Sequence, residues 1–236
     1  MTAILDERTP QSVIKALHRL GHETLLLPPA KHLPAPVASH PDMLLFFSPD
    51  AILCTKGYLA SAKETLSRVS RAAGLPLRTV EADYGEQYPS DVPLDALLMG
   101  DVLFCNPSTV AKEILGYFSD RVISVRQGYT KCATLPVGRD ALITADPSIL
   151  SAAAQHEISA LNVSAGGIRI NGYDYGFIGG CTSFAPYKKT DSIYFCGDLQ
   201  SHPDRKRIEE FCLSRGVEPI SLGSEPLTDV GTMFLI

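Results

Sequence analysis

A chain of 236 residues with 21 basic and 26 acidic side chains has a net charge of −5 and no basic run, which excludes the electrostatic footprint of a nucleic-acid binder. No stretch approaches the roughly 18 apolar residues of a membrane span. A hydrophobic fraction of 45% with 20% charged residues gives ample material for a core, and all 236 residues are read as one domain. Asp6 and Glu7 stand early and no apolar h-region precedes them, so no signal peptide is expected and the chain is read as cytoplasmic.

Taken in chain order, the sequence repeats one pattern five times. Amphipathic helices are predicted at about Pro10–Leu20, Leu59–Ala73, Pro107–Phe118, Pro147–Leu161 and Pro203–Arg215. Each is followed by an apolar run: His22–Leu27, Leu77–Glu81, Val122–Arg126, Gly167–Ile170 and Val217–Leu222. Four are preceded by a strand pair, at Met43–Cys54, Ala96–Cys105, Cys132–Thr144 and Phe177–Cys196. Leu44-Leu45-Phe46-Phe47 and Ala51-Ile52-Leu53-Cys54 around Ser48-Pro49-Asp50 read as a hairpin buried on both faces. The last hairpin has a longer turn, Pro186–Asp191. The fifth pair exists only if Gly231–Ile236 lies beside Thr2–Glu7.

A repeat of about 45–50 residues, whose units bury their faces only against neighbours, and whose two ends complete one unit, implies a closed ring. The fold class is therefore α/β: a five-bladed ββαβ propeller closed by its N- and C-terminal strands. An open doubly wound sheet would need crossover helices between parallel strands and a glycine-rich phosphate loop, and neither Gly166-Gly167 nor Gly179-Gly180 makes that fingerprint. Prolines behind Thr9, Asn106, Asp146 and His202 mark helix starts with capping side chains. The six cysteines include no CxxC pair, so they are read as reduced core thiols, and no metal site or cofactor is expected.

This order of units resembles the pentein superfamily, ββαβ propellers that include arginine deiminases, amidinotransferases and dimethylarginine dimethylaminohydrolases. The resemblance rests on Asp42 before Met43–Phe47 and Asp95 before Ala96–Met99. In that superfamily, acids at these strand starts grip a guanidinium. The resemblance implies a general-base His at the start of the fourth unit, where Gly128–Ala133 holds none. It also implies a nucleophilic Cys at the last strand, where Pro226–Thr232 places Asp229 instead. Since the family reaction adds a thiolate to a guanidinium carbon with a His shuttling protons, the usual hydrolysis is not expected.

Three functions stay open at this level. The first is a small-molecule binder taking a cationic or amino-acid-like ligand on Asp42, Asp95, Tyr129, Lys131 and Asp229, with Tyr173-Asp174-Tyr175 nearby. The second is a deiminase- or amidinotransferase-type enzyme whose nucleophile has moved to Cys132 or Cys181, with His40 as acid/base. A thiolate beside Lys131 or at the Gly179-Gly180 turn would be activated for that role. The third is a non-catalytic scaffold for a protein partner. No nucleic-acid or membrane partner is expected, and the sequence sets no oligomeric state.

Overall fold

The computed structural model describes residues 1–186 and 191–236. Its second repeat shows how each unit is built. Phe46–Ser48 and Ala51–Thr55 pair antiparallel, with Phe46 opposite Leu53 and Ser48 opposite Ala51. The Ser48 hydroxyl closes the turn by accepting from Ala51 N at 3.1 Å. Thr55 then caps a short helix, Lys56–Ser61, by accepting from Tyr58 N. Helix Lys63–Ala73 follows, burying Leu66 and Val69 and ending at Gly74, whose left-handed φ of 67° favours glycine. Leu77–Val80 returns parallel to Ala51–Thr55.

The same order recurs in Leu97–Met99, Val102–Cys105 and Val122–Ser124, and again in Thr134–Pro136, Ala141–Thr144 and Ser159–Asn162. The terminal strands complete another unit as the repeat requires. Thr2–Asp6 pairs antiparallel with Met233–Leu235 and parallel with Glu23–Leu27. Thr2 and Ile236 exchange both backbone hydrogen bonds, at 2.9 and 3.0 Å. Among the described residues the strands form five sheets. None closes on itself.

Four expectations need correction. The helix expected over Pro147–Leu161 stops at Gln155, and Ser159–Asn162 is the third strand of its unit. Glu157 takes a left-handed φ of 57°, and Ile158 N reaches back to the Ala153 carbonyl at 2.9 Å. That is a helix stop normally signalled by glycine. Gly167–Ile170 is accordingly no strand; Arg169 makes one isolated bridge to Thr228. The helix expected over Pro107–Phe118 is confined to Lys112–Tyr117, because the Asn106 side chain accepts from Ser108 N and builds a turn there. The strand expected from Met43 begins at Phe46, since Pro41–Leu44 is a helical turn. Of the expected caps, Asp146 does act, accepting from Ser148 N and Ile149 N.

The last hairpin is also incomplete. Ser183–Phe184 pairs in parallel with Met233–Leu235 and meets its own partner strand through an isolated Thr182–Phe195 bridge and the Ser183 hydroxyl, which accepts from Tyr194 N at 2.9 Å. Of its expected turn, Pro186–Asp191, residues 187–190 lie outside the described residues.

The C-terminal strand is thus paired on both sides and packed at its centre. The Phe234 ring lies 4.9 Å from Phe47 and 6.2 Å from Phe184. Truncating it removes contacts with three repeats at once. Phe234→Ala should cost about 3–5 kcal/mol of stability in a denaturant titration; a loss below about 1 kcal/mol would mean that the terminal strand does not hold the repeats together.

Candidate functional site

Five short segments meet at a common point: Asp229–Thr232, His40–Asp42, Asp95, Lys131–Cys132 and Gly179–Gly180. Their hydrogen bonds tie them to one another. Thr232 Oγ1 accepts from Lys131 Nζ at 2.9 Å and lies 2.8 Å from Asp42 Oδ2 and 3.0 Å from the Gly179 carbonyl. Asp95 Oδ1 accepts from the backbone N–H groups of Lys131 and Cys132, at 2.6 and 3.3 Å. Asp229 accepts from Phe177 N at 2.8 Å and Gly231 N at 3.0 Å. The Cys132 thiol points at the same carboxylate, 3.5 Å from Oδ2.

Local sequence explains the crowding. Gly231 has φ of 67°, and a Cβ there would stand 2.1 Å from His40 Cβ. A Cβ on Gly180 would stand 2.1 Å from Asp229 Oδ1. Thr232 itself sits at φ 67°, which is strained for a β-branched residue and tolerated where surrounding bonds over-determine it. Pro41 opens the helical turn that puts Asp42 in its first turn, with His40 at the N-cap.

Asp42 and Asp95 are each 1% exposed and face inward. The cation beside them belongs to the chain itself: Lys131, 2% exposed, with its ammonium also 5.2 Å from the Phe184 ring. Burial lowers the Lys131 pKa, and Asp42 is the strongest influence raising it again. Burial raises the Asp42 carboxyl, against the pull of His40 and Lys131. Asp95 is raised well above the usual range, by burial and by Asp42. The group is a desolvated network in which one lysine offsets several acids.

Beside it lies an open cavity of about 270 Å³. Its floor is His40, Cys132 and Asp229. Its wall is aromatic: Tyr129, Tyr173, Tyr175 and Phe177, with Asp174 among them. Tyr129 and Phe177 are 6.0 Å apart, and Tyr175 meets Phe177 edge-on at 6.4 Å. The Tyr129 hydroxyl donates to Asp91 Oδ2 at 2.5 Å, which fixes that ring. Tyr173 and Tyr175 form the rim, each nearly half exposed.

Of the residues singled out from sequence, His40, Tyr129, Cys132 and Asp229, together with Tyr173, Asp174 and Tyr175, therefore face one cavity. Asp42, Asp95 and Lys131 stand behind it. Cys181 is elsewhere: it packs in the core of the fourth and fifth repeats, and its thiol donates to the Ile178 carbonyl. Burial raises both thiols. Burial pushes Cys132 well above the ordinary thiol range, and Asp229 pushes it further; Lys131 opposes this only weakly. Burial raises Cys181 likewise. Cysteine spacing gave no reason to expect a ligand cluster, yet folding brings donor atoms of His40, Asp42 and Cys132 within 4.8 Å of one another. Sequence reasoning assigns no site role to Thr232, Phe177 or Asp6. Asp6 lies 3.8 Å from His40 Nε2 and is clamped by Arg8 at 2.6 Å.

Two solved structures share this fold. A cysteine-to-serine mutant of DDAH from Pseudomonas aeruginosa, complexed with citrulline, aligns over 93% of this chain and 91% of its own, with a TM-score of 0.55 and 11% identity. SxtG, an amidinotransferase from Microseira wollei in the saxitoxin biosynthetic pathway, aligns over 93% and 87%, with a TM-score of 0.52 and 12% identity. At such identities the likeness is one of fold, and the fold is pentein-like. Among curated proteins no sequence matches.

Packing at the floor predicts a sharp contrast between glycines. Gly180→Ala must displace Asp229 from Phe177 N and Gly231 N, and should destabilise by about 1–3 kcal/mol or more. Gly116→Ala, in helix Lys112–Tyr117 with nothing within 4 Å of the added Cβ, should be neutral or stabilising by about 0.5–1 kcal/mol. Thermal unfolding of the two variants checks this, and equal effects would contradict the described floor. Over residues 4–234 the chain matches the profile of a family of unknown function, DUF6873, and belongs to that family.

Proposed function

We propose that this chain is a single five-bladed propeller domain that binds a small organic cation, of guanidinium or amine type, in the cavity over His40, Cys132 and Asp229, without hydrolysing it. The observation that carries this reading is the pairing of an aromatic wall with carboxylates at floor and rim. A desolvated cation gains about 2 kcal/mol or more over an aromatic face, and about 0.5–1 kcal/mol at an exposed one. Asp229 supplies the interior negative charge and Asp174 the charge at the mouth. The cavity volume of about 270 Å³ accommodates a small metabolite, not a polymer.

The chemistry of the floor argues against turnover. Attack on a guanidinium carbon needs a thiolate, because the thiol is a poor nucleophile toward a resonance-stabilised cation. The Cys132 thiol is held protonated by burial and by Asp229. Asp42 and Asp95, the acids that the pentein resemblance would give to the guanidinium, are engaged with Thr232 and with backbone N–H groups. The ligand therefore sits above them, against the rings.

Calorimetric titration with arginine, agmatine, guanidinium and simple amines tests the binding reading. At least one cation should bind, and Tyr175→Ala and Asp174→Asn should each weaken it about 3–30-fold, the range that one cation–π or charge contact supplies. Both side chains are on the rim, so the fold should survive. Failure of every cation to bind, or unchanged affinity in both variants, would sink the reading.

One alternative has a specific observation behind it. His40 and Cys132 face the same cavity, which favours Cys132 over the core-packed Cys181 as a relocated nucleophile. Iodoacetamide labelling near pH 7.5 separates the two readings. Cys132 in the native protein should react at least tenfold more slowly than in the unfolded chain. Rapid, selective labelling of Cys132 in the native state would favour the enzyme.

A further inference from the structure

We propose that His40, Asp42 and Cys132 form a binding site for a divalent transition-metal ion of the zinc class, just beneath the cavity floor. The three donors come from two repeats that are 90 residues apart in sequence, and their ligand atoms lie within 4.8 Å of one another. An imidazole, a carboxylate and a sulfur together select a borderline ion such as Zn²⁺ or Co²⁺, since calcium and magnesium take oxygen donors. Four-coordinate bonds of about 2.0–2.3 Å set ligand atoms about 3.3–3.8 Å apart, so the donors need to draw in by about 1 Å.

A second observation points to an absent partner. His40 Nδ1 and Asp42 Oδ1 are buried and make no hydrogen bond. Both residues are 1% exposed. Buried polar atoms are almost always satisfied, and an orphaned nitrogen and an orphaned carboxylate oxygen beside a thiol are the donor set of a metal. The other atoms of these side chains are already placed for that role. Asp42 Oδ2 is held by Thr232. Asp6 stands 3.8 Å from His40 Nε2, and a carboxylate on that side favours the tautomer with hydrogen on Nε2 and a lone pair on Nδ1.

Access and a remaining coordination position are available too. His40 and Cys132 line the open cavity, whereas Asp42 lies behind it. An ion arriving through the cavity meets the nitrogen and the sulfur first and keeps one side turned to the opening. Asp229 Oδ1 flanks that side, 3.9 Å from His40 Nδ1 and 3.7 Å from Cys132 Sγ. Binding displaces the thiol proton to solvent, leaving thiolate, carboxylate and neutral imidazole around M²⁺. The site shares His40 and Cys132 with the cavity floor but uses none of the aromatic wall, so metal binding and organic-cation binding are read by separate experiments.

The test is a cobalt titration of the full chain, stripped with a chelator and kept free of organic cations. One equivalent of Co²⁺ should bind and give thiolate-to-metal charge-transfer absorption, and one equivalent of Zn²⁺ should bleach it. Mg²⁺ and Ca²⁺ should not. Cys132→Ser should abolish the band while Cys181→Ala retains it. Should Cys132→Ser fail to fold, His40→Gln and Asp42→Asn decide, each weakening Co²⁺ at least tenfold. Absence of a thiolate band in the wild-type protein, or a band that persists in Cys132→Ser, would overturn the site.

Discussion

Three repeats meet at the hydroxyl of Thr232. It accepts from the ammonium of Lys131 and lies within 3.0 Å of both a carboxylate oxygen of Asp42 and the carbonyl of Gly179. The residue bearing it belongs to a fourth repeat, the one the chain completes with its own two ends. A single proton and a single lone-pair pair therefore register the strand starts against one another. Burying a lysine and several acids in a dry interior costs several kcal/mol per charge unless each finds partners. Here the partners lie in different repeats. The cluster holds only when the repeats are assembled together, and loss of one member leaves the others unpaired.

That constraint also shapes the neighbouring cavity. Asp229 is fixed by Phe177 N and Gly231 N, and glycines at 180 and 231 let it and His40 approach closely. The acids behind the floor each spend one carboxylate oxygen on an internal bond, and the groups that line the opening are His40, Cys132 and Asp229. The fold is that of proteins such as DDAH and SxtG, but the floor carries a protonated thiol in a setting of carboxylates. Such a floor suits holding a positive charge better than attacking one.

Much of this was legible in the chain, and the reasons for the rest are physical. The hairpins announced themselves because two apolar runs around a polar turn repeat at a fixed spacing. The pairing of Gly231–Ile236 with Thr2–Glu7 followed from counting strands, and Ala3 does stand opposite Leu235. Ser159–Asn162 was hidden because the preceding helix stops at Glu157, in a conformation usually assigned to glycine. At the site, the repeat identified the position and not the direction. A strand start can aim its side chain at the opening, as Asp229 does, or away from it, as Asp42 does. Thr232 gave no signal, since one hydroxyl beside a glycine is ordinary in sequence. The proximity of Cys132 to His40 across 92 positions could come only from the fold.

The claim that the cavity holds a guanidinium-type cation intact is tested most directly by ¹³C NMR of arginine labelled at its guanidino carbon. With the protein present, the account predicts broadening or displacement of the guanidino resonance and no new ureido carbon on prolonged incubation. A growing ureido resonance, or a guanidino resonance left unchanged at every protein concentration, would contradict it.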